Sequence, residues 1–478
     1  MLHIRFIVPP VLIGNHPAER SSGCTRVVYP TPNIYELQVA ACVEQKFAVS
    51  YMDCINHGIT IADFIGQIQS DPAEVYMMWT VNLSVQNDIE VTRRIHAAQP
   101  KAWVVLMGPG ASYFHKECHV DEHTVVVHGE PELTVMDWLE KIDQGTEWRD
   151  IDGISYMENG IHHRNKMRAL MKDLDALPMP ARHLVSDTVY RNPKLKMTPY
   201  TTMVTSRNCP FQCIYCVPSS LTFAREIENK EYNHRKPPIS FRSPEKIAEE
   251  VRYLAAEGIK AIGFMDDNFI WNEQRTSAVC AVMRETGIVW GCQARVDAIT
   301  EPIAKLLGES NCRYVDLGVE SFNDEILEYI HKGITSAQIY EAIRLLQKYK
   351  VPVKLNILIG TSPLETKETI KDTIRRAKKL HVDQLMINIV SPFPGTKFYQ
   401  MALENGWLKD GVYTPTDVQR ESILNYPQLS NKDMEHLLFV SNLSYFLSPR
   451  FVWKQLGKFR SLSDFTHALR SLKIKLFG

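Results

Sequence analysis

The sequence predicts an α/β protein with two parallel-sheet domains followed by a helical C-terminal segment. Short apolar runs alternate with helical patterns over residues 1–142, and the alternation resumes near residue 200. Because alternating strands and helices form a parallel sheet covered by helices, each stretch predicts an α/β domain. A chain of 478 residues is also too long for one ordinary core. We expect a doubly wound, Rossmann-like domain at residues 1–145, a hairpin and linker at 146–195, a partial (β/α)6 barrel at 196–400 and a helical region at 401–478.

The composition is typical of a globular protein in a reducing compartment. Hydrophobic residues make up 45% of the chain and charged residues 23%, and the formal net charge is −1. This balance does not favour nucleic acid or an anionic membrane as a partner. The ten cysteines come without a secretory signal, and no apolar run approaches the roughly 20 residues that span a bilayer. We therefore expect a cytoplasmic protein.

The first domain alternates five predicted strands with helices. The strands are predicted at residues 4–8, 48–52, 75–79, 103–107 and 124–127, and the helices at 34–45, 61–68, 84–98 and 131–142. In a doubly wound sheet the ligand crevice lies at the carboxyl ends of the strands, where glycine lets a backbone approach a large ligand. Six residues at those ends are therefore candidate ligand contacts: Thr80, Asn82, Gly108, Gly110, Gly129 and Glu130.

The segment between the two sheets predicts a hairpin and then an extended linker. Asn159-Gly160 is a strong two-residue turn signal, so residues 154–162 are expected to form a β-hairpin. Pro178 and Pro180 lie close together further on and disfavour regular structure.

Three cysteines mark the start of the second domain. Cys209, Cys213 and Cys216 follow a predicted strand at residues 201–205. Thiols this close on one loop fit poorly into disulfides with each other, but several thiolates suit a soft metal. A zinc ribbon needs a fourth ligand, whereas three ligands suit a [4Fe–4S] cluster with one open iron. The alternative is three buried structural cysteines or a partial zinc site.

The second domain contains about six predicted strand–helix units. Further strands are predicted at residues 261–265, 289–294, 314–320, 353–359 and 384–390, and helices at 302–307, 336–349 and 365–380. Ser243-Pro244-Glu245 is a helix start with an N-cap. In parallel barrels functional groups collect at the carboxyl ends of strands. The polar residues at or near those ends are Asp266, Asp267, Asn268, Arg295, Asp297, Glu320, Ser321 and Asn356. Each is also explained singly as an ordinary strand-end polar residue.

The cysteine loop resembles the Cys-x-x-x-Cys-x-aromatic-Cys loop of the radical S-adenosylmethionine (SAM) enzymes, with Tyr215 as the aromatic residue. The resemblance implies a [4Fe–4S] cluster on Cys209, Cys213 and Cys216 whose open iron chelates SAM. It also implies cofactor contacts from the polar strand ends. Asp267 or Asp266 would bind the SAM amine, Arg295 its carboxylate, and Glu320 with Ser321 its ribose, with Tyr215 and Asn356 as further contacts.

The first domain resembles the cobalamin-binding domain of B12-dependent radical SAM enzymes. Residues 108–112, Gly-Pro-Gly-Ala-Ser, and 126–132, Val-Val-His-Gly-Glu-Pro-Glu, are similar to that family. The resemblance implies a bound cobalamin. The Asp-x-His-x-x-Gly fingerprint is absent from residues 11–33, so no histidine is assigned to cobalt. We interpret His16 and His57 as solvated loop histidines. The alternative is a domain that has kept the fold without the cofactor.

The leading hypothesis is a cobalamin-dependent radical SAM enzyme that methylates an unactivated carbon through a 5′-deoxyadenosyl radical. An oxidative cyclase without methyl transfer is the first alternative, and a non-catalytic iron–sulfur and corrinoid sensor is the second. The family resemblance implies a small-molecule substrate, lipid-like or tetrapyrrole in character, and an electron donor such as flavodoxin or ferredoxin. The charge balance predicts no nucleic-acid partner.

Two segments keep two interpretations each, and three scattered cysteines have one. Residues 217–242 form a basic excursion after the cysteines, either a substrate-facing lid or a surface insertion. Cys280, Cys292 and Cys312 are predicted to be buried small hydrophobes. Helices are predicted at residues 434–447 and 450–459, and the basic, apolar chain from residue 450 onward either caps the barrel or contacts a membrane surface.

Overall fold

The computed structural model describes residues 2–14, 16–22, 25–27, 29–449, 451 and 453. The chain packs as two units. The first unit comprises Met1–Pro210, Cys216–Val315 and Lys348–Val351, and the second comprises Phe211–Tyr215, Asp316–Gln347 and Pro352–Gly478. Both units are α/β, as the sequence predicts.

The N-terminal part of the first unit is a doubly wound sheet of seven strands in the order β2-β1-β3-β4-β5-β6-β7. Its strands β1 to β5 pair with one another in parallel. The elements are β1 (His3–Val8), α1 (Ile34–Val43), β2 (Ala48–Asp53), α2 (Ile61–Ser70), β3 (Val75–Trp79), α3 (Val85–Ala98), β4 (Trp103–Met107), α4 (Pro109–Tyr113), α5 (His115–Cys118), β5 (Thr124–Val127), α6 (Pro131–Gln144), β6 (Ile154–Glu158) and β7 (Ile161–Arg164). The strands predicted at 75–79, 103–107 and 124–127 are confirmed to the residue.

The predicted hairpin forms, but it extends this sheet instead of leading away from it. β6 pairs antiparallel with β5, and β7 pairs antiparallel with β6. Asn159 and Gly160 have φ values of 51° and 76°, so both turn residues are left-handed. Without the hairpin, β5 would be an unpaired edge strand. The Asn159-Gly160 turn predicts the hairpin itself, but it does not predict that β6 pairs with β5.

Both faces of this sheet are buried. Ile4, Phe6, Met77 and Trp79 face one apolar cluster, while alternate residues of the same strands face a second. Helices cover both faces, and for this reason the strands read as nearly continuous apolar runs.

The first unit then begins the second set of strand–helix units. It contains β8 (Tyr200–Met203), β9 (Ser206–Arg207), α7 (Ser220–Asn233), β10 (Ser240–Phe241), α8 (Pro244–Ala256), β11 (Ala261–Phe264), α9 (Glu273–Thr286), β12 (Val289–Ala294) and α10 (Glu301–Glu309). β8, β11 and β12 pair in parallel. The predicted N-cap of α8 is confirmed, because the Ser243 hydroxyl accepts from the Lys246 N–H at 3.2 Å. β13 (Cys312–Glu320) starts in the first unit and ends in the second.

The basic excursion at residues 217–242 contains helix α7. All ten residues from Ser220 to Asn229 are buried. Glu228 accepts from Arg164 at 2.6 Å and lies 3.1 Å from Nδ1 of His128. Trp79 Nε1 donates to the Ser220 hydroxyl at 3.0 Å. The surface-insertion interpretation was wrong for residues 220–229, because their polar side chains have partners about 65 to 140 positions away in sequence. The substrate-facing lid stays a prediction.

The second unit continues the alternation. Its elements are α11 (Asp324–Tyr329), α12 (Ser336–Lys348), β14 (Val353–Ile359), α13 (Lys367–Lys379), β15 (Gln384–Ile389), α14 (Lys397–Glu404) and α15 (Asn431–Phe446). β14 and β15 pair in parallel over six residues of each strand. With β8, β11, β12 and β13, these complete the six predicted strands.

The remaining predictions concern the isolated cysteines and the tail. Cys280, Cys292 and Cys312 are buried, and burial raises the pKa of Cys280 to about 12. Among the described residues, no helix is both long and apolar enough to cross a bilayer. The predicted helix at 450–459 and the basic tail lie, apart from residues 451 and 453, outside the described residues.

Candidate active site

The three cysteines lie on the loop that follows β9. Cys209, Cys213 and Cys216 are all half-buried and none forms a disulfide. Cys209 and Cys216 belong to the first unit and Cys213 to the second. Among the described residues, no three cysteine, histidine or carboxylate side chains converge as a preformed metal site.

A half-buried cation stands beside two of these thiols. Lys236 lies 2.9 Å from Glu226. Burial acts to lower the pKa of Lys236, but Glu226 and the neighbouring Cys216 and Cys209 outweigh it and raise this pKa. A lysine that stays protonated here favours the thiolate forms, which are the forms that bind iron.

The start of the cysteine loop is held by Asp266, one of the two aspartates predicted for the SAM amine. Its carboxylate accepts from the Thr205 N–H at 3.1 Å, the Thr205 hydroxyl at 2.7 Å and the Ser206 hydroxyl at 2.5 Å. Burial raises the pKa of Asp266, and these bonds act against that rise. Asp266 therefore anchors the strand before the cysteines, which leaves Asp267 as the candidate for the amine.

Glu130, which is predicted to contact cobalamin, already has cationic partners in the structure. Its Oε1 accepts from Arg207 Nη1 at 2.9 Å and lies 2.9 Å from Arg225 Nε in an ion pair. Arg207 Nη2 also donates to Glu132 at 2.5 Å. All four side chains are at least 92% buried. Since Arg207 stands two residues before Cys209, this buried ion-pair network fixes the base of the cysteine loop.

Asp267 keeps one carboxylate oxygen for a ligand. Its Oδ1 accepts from the Ser219 N–H at 2.6 Å. Its Oδ2 is buried and has no hydrogen-bond partner of normal geometry among the described residues. Burial raises the pKa of Asp267 to about 6. At neutral pH the carboxylate is mostly ionised and suits an ammonium group.

Arg295 is less available than the sequence suggested. Its Nε and Nη2 donate to the two oxygens of Asp297 at 2.9 and 3.0 Å. This bidentate pair uses the same fork that was predicted for the SAM carboxylate. The Nε and Nη2 groups of Arg295 can bind the SAM carboxylate only in competition with Asp297.

The second unit contains the remaining predicted SAM contacts. Glu320 lies 2.8 Å from the Lys332 ammonium. The Ser321 hydroxyl lies 3.2 Å from that of Thr373. The Asn356 amide donates to the Leu317 carbonyl at 3.4 Å. All three remain predictions as cofactor contacts.

The predicted cobalamin edge offers hydroxyl groups rather than open glycine space. A Cβ on Gly108 would meet the Thr80 carbonyl at 2.8 Å, and one on Gly110 would meet the Val81 carbonyl carbon at 2.6 Å. A Cβ on Gly129 would lie 3.4 Å from Glu228 of α7. These glycines therefore permit packing within the protein.

Two hydroxyls at this edge fit a polar ligand. Thr80 Oγ1 and Ser112 Oγ are buried and lack hydrogen-bond partners among the described residues. Asn82, two residues after Thr80, is also buried, with 4% exposure. Because an unpaired buried hydroxyl is costly, a bound group that pairs with these two would be stabilised. His57, by contrast, is 41% exposed and lies 3.5 Å from Asp187, as expected for a loop histidine.

Comparison with known proteins identifies the second set of strand–helix units. Residues 203–377, which include the cysteine loop, match the model of the Radical SAM superfamily. Residues 203–377 are thus similar to the radical SAM enzymes. The similarity supports an enzyme and does not support the non-catalytic sensor.

Relatives extend the similarity beyond the radical SAM domain. The chain is 29% identical over 463 residues to an uncharacterized methyltransferase of Pyrococcus horikoshii, covering 94% of this chain and 95% of the relative. It is 24% identical to an anaerobic magnesium-protoporphyrin IX monomethyl ester cyclase of Rubrivivax gelatinosus, covering 58% and 48% of the two chains. The solved structure of OxsB, a cobalamin-dependent SAM radical enzyme, matches with a TM-score of 0.71 at 14% identity, covering 100% of this chain and 72% of OxsB. At that identity the likeness shows a shared fold.

Three residues near the radical SAM site were missed by the sequence reasoning. Lys236 lay in the basic excursion, whose charge was a usable signal. Lys332 follows α11, and no local sequence pattern marks it as a functional residue. Tyr35 of α1 stacks on Trp79 with ring centroids 5.6 Å apart, and burial together with nearby Asp267 raises its pKa well above the usual value. Its position beside Asp267 depends on contacts that no local pattern encodes.

Proposed function

We propose that this protein is a cobalamin-dependent radical SAM enzyme that methylates an unactivated carbon of a small molecule. The observation that carries the proposal is the three-cysteine loop inside the matched radical SAM domain, preceded in the same chain by a doubly wound domain. The likeness over 94% of the chain to a protein described as a methyltransferase supports methyl transfer over other radical chemistry.

The cofactors supply the difficult chemistry and the protein supplies placement. A [4Fe–4S] cluster with SAM would generate the radical, and cobalamin would carry the methyl group. Cys209, Cys213 and Cys216 would bind the cluster, and Lys236 would favour their thiolate forms. Asp267 would accept a hydrogen bond from the SAM amine through Oδ2. We place cobalamin at the edge that contains the Thr80 and Ser112 hydroxyls, where α7 also packs.

The substrate class and redox partner are part of the proposal. The cyclase relative acts on a tetrapyrrole ester by its name, which supports a hydrophobic or tetrapyrrole substrate for this chain. The cluster needs one-electron reduction, so we expect a small electron carrier such as flavodoxin or ferredoxin. Contact with a membrane through the basic tail is proposed only from the sequence after residue 450.

The test is product analysis with SAM that carries a deuterated methyl group. Anaerobically reconstituted enzyme is incubated with reductant, cobalamin and a metabolite extract. We expect a labelled product together with 5′-deoxyadenosine and S-adenosylhomocysteine in a ratio of roughly one, because one SAM supplies the radical and another the methyl group. The Cys213→Ala variant should form none of these products. Substrate turnover with 5′-deoxyadenosine alone would rule out methyl transfer.

A radical SAM oxidative cyclase is the second candidate. The similarity to the Rubrivivax gelatinosus cyclase favours it. It would give 5′-deoxyadenosine without S-adenosylhomocysteine, and its product would lose hydrogen and carry no label. The same experiment therefore separates the two functions.

A further inference from the structure

Lys332 lies at the centre of a buried polar cluster in the second unit. Its side chain is 8% exposed and that of Glu320 is 7% exposed. The Lys332 ammonium lies 2.8 Å from Glu320 Oε1 and 3.4 Å from the hydroxyl of Tyr215. Tyr215 belongs to the cysteine loop. One lysine thus joins the candidate ribose ligand to the aromatic residue of that loop.

The backbone around Lys332 is tied to the same loop. The Ile214 N–H donates to the Ile330 carbonyl at 3.1 Å. The Lys332 N–H donates to the Leu327 carbonyl at 2.9 Å, which closes the end of α11. The position of the ammonium group is therefore fixed at both ends of its side chain.

Glu320 has a conformation that the surrounding structure must impose. Its φ is +65°, in the left-handed region that residues other than glycine rarely adopt. Its side chain folds back over β13, because a Cβ on Gly318 would lie 2.8 Å from Glu320 Oε1 and 2.9 Å from the Lys332 ammonium. Residues held in this way are concentrated at functional sites.

We propose that Lys332 is a positioning residue for SAM, which holds Glu320 so that its second oxygen, Oε2, receives the ribose hydroxyls. Lys332 pairs with Oε1, and the fold-back over Gly318 fixes the plane of the carboxylate. The contact with Tyr215 keeps this arrangement in register with the cysteine loop. The inference rests on the proposed radical SAM function and adds the residue that prepares the ribose site.

The alternative is an ion pair that serves stability alone, and the chain contains a matched control for it. Lys354 and Asp316 form a second buried pair in the same unit, 3.1 Å apart, with exposures of 13% and 10%. Lys354→Met removes a buried lysine from a carboxylate, as Lys332→Met does, but it leaves Glu320 and Tyr215 untouched.

The experiment measures how strongly the reconstituted enzyme prefers SAM to an analogue that lacks a ribose hydroxyl. Dissociation constants for SAM, its 2′-deoxy analogue and L-methionine are measured by equilibrium dialysis under anaerobic conditions. We expect wild type and Lys354→Met to prefer SAM to the 2′-deoxy analogue by about tenfold or more, the loss that follows one charge-assisted hydrogen bond. In Lys332→Met this preference should fall towards one while the affinity for L-methionine is unchanged. Lys332→Arg should restore part of the preference.

A double variant tests whether Lys332 acts through Glu320. Glu320→Gln alone should reduce the ribose preference, and adding Lys332→Met should reduce it little further. If Lys332→Met does not fold, Lys332→Gln provides the same measurement with a smaller change in polarity. A ribose preference that stays at the wild-type value in folded Lys332 variants overturns the inference. Wild-type protein that binds no SAM overturns the proposed function as well, so the two failures are distinguishable.

Discussion

Replacing Arg207 with Met should destabilise the first unit because it leaves buried carboxylates without their cation. Arg207 bonds Glu130 at 2.9 Å and Glu132 at 2.5 Å, and its own side chain is 6% exposed. Glu130 retains Arg225, but Glu132 loses the guanidinium that pairs with it. Burial raises the cost of an unpaired charge, and the same pairing keeps the pKa of Glu130 below its usual value.

The magnitude follows from the burial of the pair. Removing one partner of a buried ion pair costs about 3–5 kcal/mol. If all 478 residues unfold together, at roughly 2.1 cal/mol/K per residue, Tm should fall by about 3–5 °C. The exposed pair of Arg252 with Glu285 is the control, with exposures of 56% and 52%. Arg252→Met should change Tm little, because an exposed ion pair is screened by solvent and contributes little to stability.

The assay combines calorimetry with measurement of iron and sulfide in the reconstituted protein. Because Arg207 stands two residues before Cys209, its loss should also reduce cluster retention, which Arg252→Met should not do. Adding Glu132→Leu to Arg207→Met should recover part of the lost stability, since it removes the stranded charge. If Arg207→Met unfolds at the same temperature as Arg252→Met, the ion-pair network does not stabilise the loop and the reasoning is refuted.

Three further predictions concern single side chains. Thr80→Val should leave the stability of the cobalamin-free protein unchanged or raise it by about 1 kcal/mol, because the buried hydroxyl is unpaired. The variant should retain less cobalamin than wild type after gel filtration. Equal retention would show that cobalamin does not bind at Thr80. Asp297→Asn should tighten SAM binding by freeing the Arg295 fork, and an unchanged dissociation constant would exclude Arg295 from the site. Glu36 is buried and bonded to Tyr51, and burial raises its pKa from 4.5 to about 8. The folded state thus binds a proton that the unfolded state releases, so the free energy of unfolding should fall as pH rises from about 4.5 through 8. In urea titrations at several pH values, the free energy of unfolding of Glu36→Gln should depend less on pH over this range than that of wild type.

The sequence by itself determined the features that depend on neighbours along the chain. The apolar runs of β3, β4 and β5, the Asn159-Gly160 turn and the Ser243 N-cap were predicted correctly because strand period, turn conformation and capping are set within a few residues. The spacing of the three cysteines is local in the same sense. It indicated the similarity to radical SAM enzymes that the family model finds at residues 203–377.

Tertiary structure decided which polar side chains remain available for a ligand. Glu130 and Asp266 matched the expected positions at strand ends, yet one pairs with Arg207, 77 residues away, and the other with Thr205, 61 residues away. Helix α7 was read as an excursion because the partner of Glu228, His128, is 100 residues distant. A buried charge is stable only beside a partner, and partners are selected by packing between distant segments. Sequence therefore identified the chemistry, while the fold determined which residues are free to perform it.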